Sequence, residues 1–488
     1  MSHHDVKNFA DILFNQEAQD PTINSYEFMH SDLIGFDGTT RGELAHKARA
    51  IGAALQSMDA KGKPVLLACE HGIEFVYGFF ACMAMGAIAV PVPPPSRNKF
   101  DQRLEAVIRD SGAEIVLTNA ALVDVFKSKF TEGDLSTTAV YSVDEIADIG
   151  DADAFVRPER SFDDIAFLQY TSGSTGTPKG VMISQGNLLE NSRLIFEACR
   201  TDINGAGLLW LPFYHDMGLI GGMLQPMYIG GPAKYMSPVA FVQNPMRWLE
   251  IMSEIKATSA VAPNFALELL TQKVTEEHLD TLDLSHFNTV LCGAEPVNPN
   301  TIEKFCETFA RTGFRREVLM PTYGLAEATL YVTGTLNDNG GPTVLALDAA
   351  ELKNNNVVAV DAEGGVSNQL LVSNGNMSEL IRIVDPKTTA GVAEGVIGEI
   401  WVTGKSVSSG YWSREDLTKE EFGQTIANDD SGKTYFRTGD LGFAQNGELY
   451  VTGRIKDLII VRGLSRLTEV RASNWCWSLR LVVKPCAL

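Results

Sequence analysis

The 488-residue chain predicts an α/β fold closed by a β-rich subdomain. Three observations carry this. Helical stretches alternate with short, continuously apolar strands through the N-terminal part, as in parallel sheets covered on both faces. From about residue 372 the pattern changes to strands separated by Gly- and Asn-rich turns. A 45% hydrophobic content over this length can bury a large core and supports two to four structural units.

The elements follow in order. Thr40 to Gln56 repeats Leu44, Ala48, Ile51 and Leu55 at helical spacing, and Pro64 to Ala68 is a short buried strand. Phe75 to Val92 is nearly long enough to span a bilayer. Gly78, Gly86 and the prolines from Pro91 to Pro95 instead make it a buried helix feeding a strand and a turn, so no membrane span is expected. Ala113 to Leu117 and Ile165 to Leu168 repeat the strand theme. Leu336 to Leu371 is polar, with only short apolar runs, and fits a surface insertion better than a core element. Beyond it, Glu379–Val384, Gly398–Val402 and Glu448–Val451 read as strands.

Composition excludes some functions. A net charge of −21 argues against nucleic-acid binding, which rests on neutralising phosphates with Lys and Arg. The seven cysteines show no paired spacing and read as reduced, mostly buried thiols of a cytoplasmic protein. The N-terminus lacks the basic-then-apolar layout of a signal peptide, and His3 and His4 have no second ligand pair nearby.

The strongest motif is Tyr170-Thr-Ser-Gly-Ser-Thr-Gly-Thr-Pro-Lys-Gly180, placed after a strand. Gly173, Gly176 and Gly180 permit close backbone approach, so that amides can converge on phosphate oxygens. Thr171, Ser172, Ser174, Thr175 and Thr177 add hydroxyl donors and Lys179 a positive charge. The spacing is not that of a Walker A loop.

This loop resembles the phosphate loop of the adenylate-forming superfamily, and further motifs follow in that superfamily's order up to about residue 463. The resemblance implies the large N-terminal domain of those enzymes, with two α/β subdomains and a β-rich one, and the use of ATP with Mg²⁺. Leu291-Cys-Gly-Ala-Glu-Pro296 resembles the turn beside adenine, which implicates Gly293, Ala294, Glu295 and Pro296. In Met320-Pro-Thr-Tyr-Gly-Leu-Ala-Glu-Ala-Thr329 the match implies Tyr323 stacked on the base, Gly324 beside it and Glu327 on Mg²⁺. Position 326 is Ala where many relatives carry a phosphate-contacting Thr. Tyr435-Phe-Arg-Thr-Gly-Asp440 implies Asp440 on the ribose diol, and Gly453 to Gly463 implies Arg454 at the ribose and Lys456 at a hinge.

Trp210 to Gly222, Tyr235 to Phe241, Pro245 to Leu249 and Ala262 to Ala266 resemble the fatty acyl-AMP ligase branch. There His215 would lie near the carboxylate being activated. Met217, Ile220, Met236 and Phe241 would line an acyl channel, with Gly218 among the glycines leaving it room. In that branch the 336–371 insertion is taken to disfavour CoA. The expected reaction converts a long-chain fatty acid and ATP to acyl-AMP and pyrophosphate, with Lys179, His215 and Glu327 catalytic. The partner would be an acyl carrier protein or a polyketide or peptide synthase carrier domain. A long-chain acyl-CoA ligase, or a nucleotide- and acyl-binding chain without turnover, are the alternatives. The second arises because residues 464–488 do not resemble the start of the family's small C-terminal domain. The expected division is a large domain over 1–452, a hinge over 453–463 and an atypical tail.

Overall fold

The computed structural model describes residues 6–95, 102–130, 133–172, 178–199, 205–335, 340–361, 368–427, 429–461 and 464–467. The chain folds into two compact units, neither continuous in sequence. The first comprises Met1–Phe196, Leu208–Ala240 and Ser408–Thr418; the second comprises Glu197–Gly207, Phe241–Val407 and Lys419–Leu488.

The first unit holds β1 (Asn24–Met29), β2 (Phe36–Thr40), β3 (Pro64–Ala68), β4 (Ile88–Pro91), β5 (Ile115–Thr118), β6 (Ala139–Ser142), β7 (Ile165–Ser172), β8 (Pro178–Ser184), β9 (Leu208–Leu209) and β10 (Ala233–Tyr235). Its main sheet runs β6-β5-β3-β4-β7-β8. All neighbours are parallel except β7 and β8, which form an antiparallel hairpin. β3, β4 and β5 pair without side-chain alternation because both faces are covered; Val65 to Ala68 and Ile88 to Val90 are buried throughout. The smaller sheet runs β2-β1-β10-β9. The expected helix at Thr40 is Arg41–Ser57, where Thr40 and Glu43 form a capping box that satisfies two end amides. The apolar stretch near Phe75 becomes the helix Ile73–Met85, ended by Gly86 at φ 84°, and then β4. No helix among the described residues is long and apolar enough to cross a membrane.

The second unit holds β11 (Ser259–Val261), β12 (Thr289–Cys292), β13 (Leu319–Gly324), β14 (Tyr331–Gly334), β15 (Val344–Asp348), β16 (Asn368–Val372), β17 (Ile381–Val384), β18 (Gly398–Val402), β19 (Phe436–Gln445), β20 (Glu448–Arg454), β21 (Leu458–Val461) and β22 (Leu464–Leu467). β11, β12 and β13 are parallel and β14 returns antiparallel. β17 to β20 form an antiparallel meander, the β-rich subdomain read from the sequence. The 336–371 segment is more than a polar surface insertion. β15 and β16 pair antiparallel, and Leu347 and Leu352 are buried in one cluster with Phe443 and Tyr450. The expected tail from 468 onward lies outside the described residues, as do His3 and His4.

Candidate active site

In the first unit, Thr171 pairs with Lys179 and Tyr170 with Gly180 across the β7–β8 hairpin, so the hairpin fixes both ends of the phosphate loop. Gly173, Ser174, Thr175, Gly176 and Thr177 lie outside the described residues, as does the side chain of Ser172. Gly180 is required by packing, since a Cβ there would sit 2.9 Å from the Tyr170 ring. The Tyr170 hydroxyl donates to Asp110 Oδ2 at 2.8 Å, and Arg414 pairs with the other oxygen of the same carboxylate. Burial and the neighbouring Asp110 carboxylate push the Tyr170 phenol well above its usual range, so it stays a donor.

The segment bearing Arg414 also edges the hairpin. The Trp412 amide donates to the Gly180 carbonyl at 2.8 Å, and the Met182 amide to that of Gly410 at 3.0 Å. This sets Tyr411 under Lys179, whose ammonium lies 4.9 Å from the ring centroid, within cation–π range. Asp110, Tyr411 and Arg414 were not legible as site-builders, because nothing local in sequence ties residues 304 positions apart.

His215 Nδ1 lies 2.6 Å from Asp216 Oδ1, and Asp216 also accepts from the Met217 amide at 2.7 Å. Met217–Leu224 is a π-helix, a wide-turned form that recurs at functional sites. Met217, Ile220 and Met236 are buried. Gly218 does not leave space for an alkyl chain: a Cβ there would sit 2.1 Å from the Pro212 carbonyl oxygen, so the backbone already fills it. Phe241 belongs to the second unit, where it packs edge-on to Trp248 at 5.6 Å.

In the second unit, the carboxyl ends of β12 and β13 bring Gly293 beside Thr322; a Cβ on Gly293 would meet Thr322 Oγ1 at 2.4 Å. Ligands of open α/β sheets bind outside such strand ends. Ala294 turns the chain at φ 67° and is exposed, as is Pro296, while Glu295 accepts from the Phe265 amide at 2.7 Å.

Tyr323, Asp440 and Arg454 come together. The Tyr323 hydroxyl donates to Asp440 Oδ2 at 2.8 Å, and Arg454 Nε to Asp440 Oδ1 at 2.7 Å. β19 and β20 enforce this meeting, because Asp440 is the register partner of Arg454. The Asp440 carboxylate holds Arg454 above its usual range, with Glu327 adding to the effect. Burial and the same carboxylate raise the Tyr323 phenol. Tyr323 is only 8% exposed and belongs to one buried cluster with Ile381, Ile400 and Leu449. Both Asp440 oxygens are engaged, so a ribose diol would have to share or replace these donors.

The loop carrying Asp440 hangs on Glu399, which sequence reading passed over. Glu399 is 2% exposed and accepts from Arg437 Nε (3.1 Å) and Nη2 (2.9 Å), Trp401 Nε1 (2.9 Å) and the Gly439 amide (3.1 Å). A carboxylate inside the otherwise apolar β18 was the available signal, since buried charge demands partners.

Glu327 is half-buried in the 3-10 turn Ala326–Ala328. No cluster of three His, Cys, Asp or Glu side chains suited to a metal occurs among the described residues. One carboxylate suffices for Mg²⁺, which takes one or two protein carboxylates and completes its shell with water and substrate phosphates. Lys456 Nζ lies 3.8 Å from Glu421 and is exposed.

The AMP-binding enzyme profile matches residues 25–412. The chain is 37% identical over 470 residues to JamA, a medium-chain-fatty-acid–acyl-carrier-protein ligase of Moorena producens, covering 95% of this chain and 79% of that protein. It is 36% identical over 458 residues to FadD23, a long-chain-fatty-acid–AMP ligase of Mycobacterium tuberculosis, covering 91% and 77%. It superposes with a TM-score of 0.86 on the fatty acyl-adenylate ligase of Legionella pneumophila, solved with acyl adenylate and pyrophosphate, at 37% identity over 94% of this chain and 79% of that one. The chain belongs to the AMP-binding enzyme family.

Proposed function

We propose that the protein activates a long-chain fatty acid with ATP, releasing pyrophosphate and forming acyl-AMP for transfer to an acyl carrier protein or a synthase carrier domain. The observation that carries this reading is the Tyr323–Asp440–Arg454 cluster: a buried carboxylate held by a phenol and a guanidinium, with Glu327 in electrostatic reach. The acyl-carrier and fatty-acid activities named for JamA and FadD23 support the substrate class.

In this reading a carboxylate oxygen of the acid attacks the α-phosphorus, and the bond to the bridging oxygen of the β-phosphate breaks. Lys179 and the loop hydroxyls would hold the β- and γ-phosphates, where negative charge collects as pyrophosphate leaves; such fixed charge lowers the barrier because it needs no reorganisation. Mg²⁺, when bound, supplies further positive charge against the triphosphate, and Glu327 would be its protein ligand. Tyr323, Asp440 and Arg454 would hold the nucleoside, with Gly293 to Pro296 and Gly324 flanking it. His215 would orient the acid's carboxylate, and Met217, Ile220, Met236 and Phe241 would receive the alkyl chain. Lys456 would serve as a hinge position. A cytoplasmic setting belongs to the same reading; all five cysteines among the described residues are buried and free, and burial pushes the thiols of Cys82, Cys199 and Cys306 up to about 12.

The test incubates the protein with Mg-ATP and saturated acids from octanoic to hexadecanoic, detecting acyl-AMP by mass spectrometry. CoA and a phosphopantetheinylated carrier protein are added in parallel, and Lys179→Ala serves as control. Acyl-AMP and acyl-carrier product without acyl-CoA is the expected result. Acyl-CoA as the main product would replace the carrier assignment with the CoA one, and no adenylate with any acid would overturn the activity.

A further inference from the structure

Thr329, two residues beyond Glu327, adopts φ 72° and ψ −64°, and the Leu330 amide donates to the Ala328 carbonyl at 2.9 Å. Together these define a positive-φ γ-turn centred on Thr329, a rare and strained backbone state. A β-branched residue is an outlier at positive φ, because its branched Cβ crowds the neighbouring carbonyl. Glycine would be the relaxed choice.

What holds the strain is visible. Thr329 is fully buried and its Oγ1 donates to the Ser406 carbonyl at 2.6 Å. The Thr329 amide returns to the Ala326 carbonyl at 2.9 Å, and the Leu325 amide to that of Leu330 at 2.9 Å, so the turn closes on itself around Glu327. Gly324 makes room at its base, where a Cβ would meet the Leu330 oxygen at 1.9 Å. Backbone strain persists only where the surroundings over-determine it, and it concentrates at functional sites. Here the over-determining contact is a side-chain hydroxyl. Without it the Thr329 peptide can relax toward negative φ and carry the Ala328 and Glu327 backbone with it.

We infer that Thr329 is a positioning residue for Glu327, its hydroxyl bond to Ser406 holding the strained turn that sets the carboxylate for metal-bound triphosphate. The inference rests on the reading of Glu327 as the Mg²⁺ ligand. It assigns Thr329 no contact with substrate.

The experiment compares, by calorimetry, the affinity for Mg-ATP with that for ATP in excess EDTA, in the wild type, Thr329→Ala, Thr329→Ser and Glu327→Gln. Thr329→Ala should weaken Mg-ATP binding about tenfold, the scale of one lost hydrogen bond, and leave metal-free ATP binding unchanged. Thr329→Ser, which keeps the hydroxyl, should restore the Mg-ATP affinity to within about threefold. Equal weakening of both forms of ATP in Thr329→Ala would show general disruption of the site and overturn the inference. If Glu327→Gln abolishes the metal effect while Thr329→Ala keeps it, the inference alone falls. If Glu327→Gln keeps the metal effect, the reading of Glu327 falls and the inference with it.

Discussion

Replacing Glu399 with Gln tests whether one buried carboxylate organises the loop that bears Asp440. An amide has one acceptor atom where the carboxylate has two. With its oxygen at the Oε2 position it still receives Arg437 and Trp401, but its NH2 then faces the Gly439 amide, which loses its acceptor. An orphaned, partly buried amide costs about 1–3 kcal/mol. The two Arg437 bonds become neutral-acceptor bonds, weaker by roughly 1 kcal/mol each. The Arg437 side chain is 29% exposed, so water recovers part of that second loss. The total is about 3 kcal/mol. Urea unfolding followed by far-UV circular dichroism should show the first transition displaced by that amount, and calorimetry should show ATP bound about tenfold more weakly as Gly439 and Asp440 loosen. A loss below about 0.5 kcal/mol with unchanged ATP affinity, the range of an ordinary surface substitution, would refute the reasoning.

Two further predictions concern packing and pH. Gly324→Ala should destabilise by about 1–3 kcal/mol through overpacking against Leu330; Gly222→Ala, whose Cβ would lie 3.7 Å from the nearest atom, should stay within about 0.5 kcal/mol, and thermal unfolding of both variants reads the contrast. His71 packs among Phe28, Phe213 and Tyr235, neither ring nitrogen is hydrogen-bonded among the described residues, and burial lowers it from 6.5 to about 3. The unfolded chain therefore binds this proton more readily, so stability is intact above pH 6.5 and falls as pH drops toward 3, by at most about 1.4 kcal/mol per unit. His71→Leu should flatten that acid limb relative to wild type in urea titrations between pH 7 and 5; parallel limbs would contradict it.

The sequence made legible what is local. The strand that begins at Ile165, the strand at Gly398–Val402 and the buried helix before β4 each follow from a contiguous pattern of apolar, glycine or proline residues. The Asp440–Arg454 pairing lay within one motif-rich stretch, yet its tie to Tyr323 joins side chains of two different sheets, 117 positions apart. The space expected at Gly218 is filled for a physical reason: the sequence names a residue but not which neighbour lies beside it. The Pro212 carbonyl takes the place a Cβ on Gly218 would need. The 336–371 segment looked polar because Leu347 and Leu352 are isolated in sequence, and they become core only once Phe443 and Tyr450 cover them.

The way the first unit is assembled has a consequence for synthesis. β8 ends its sheet, and among the described residues its outer edge is paired by residues 410–412. The carboxylate of Asp110 waits for Arg414 across 304 residues. At roughly 5–20 residues per second, the nascent chain carries an uncovered strand edge for some tens of seconds. Such an edge is a template for pairing with another chain. Native burial of this hairpin is therefore a late event, and the ribosome-bound intermediate, rather than the finished enzyme, is the species most in need of a chaperone.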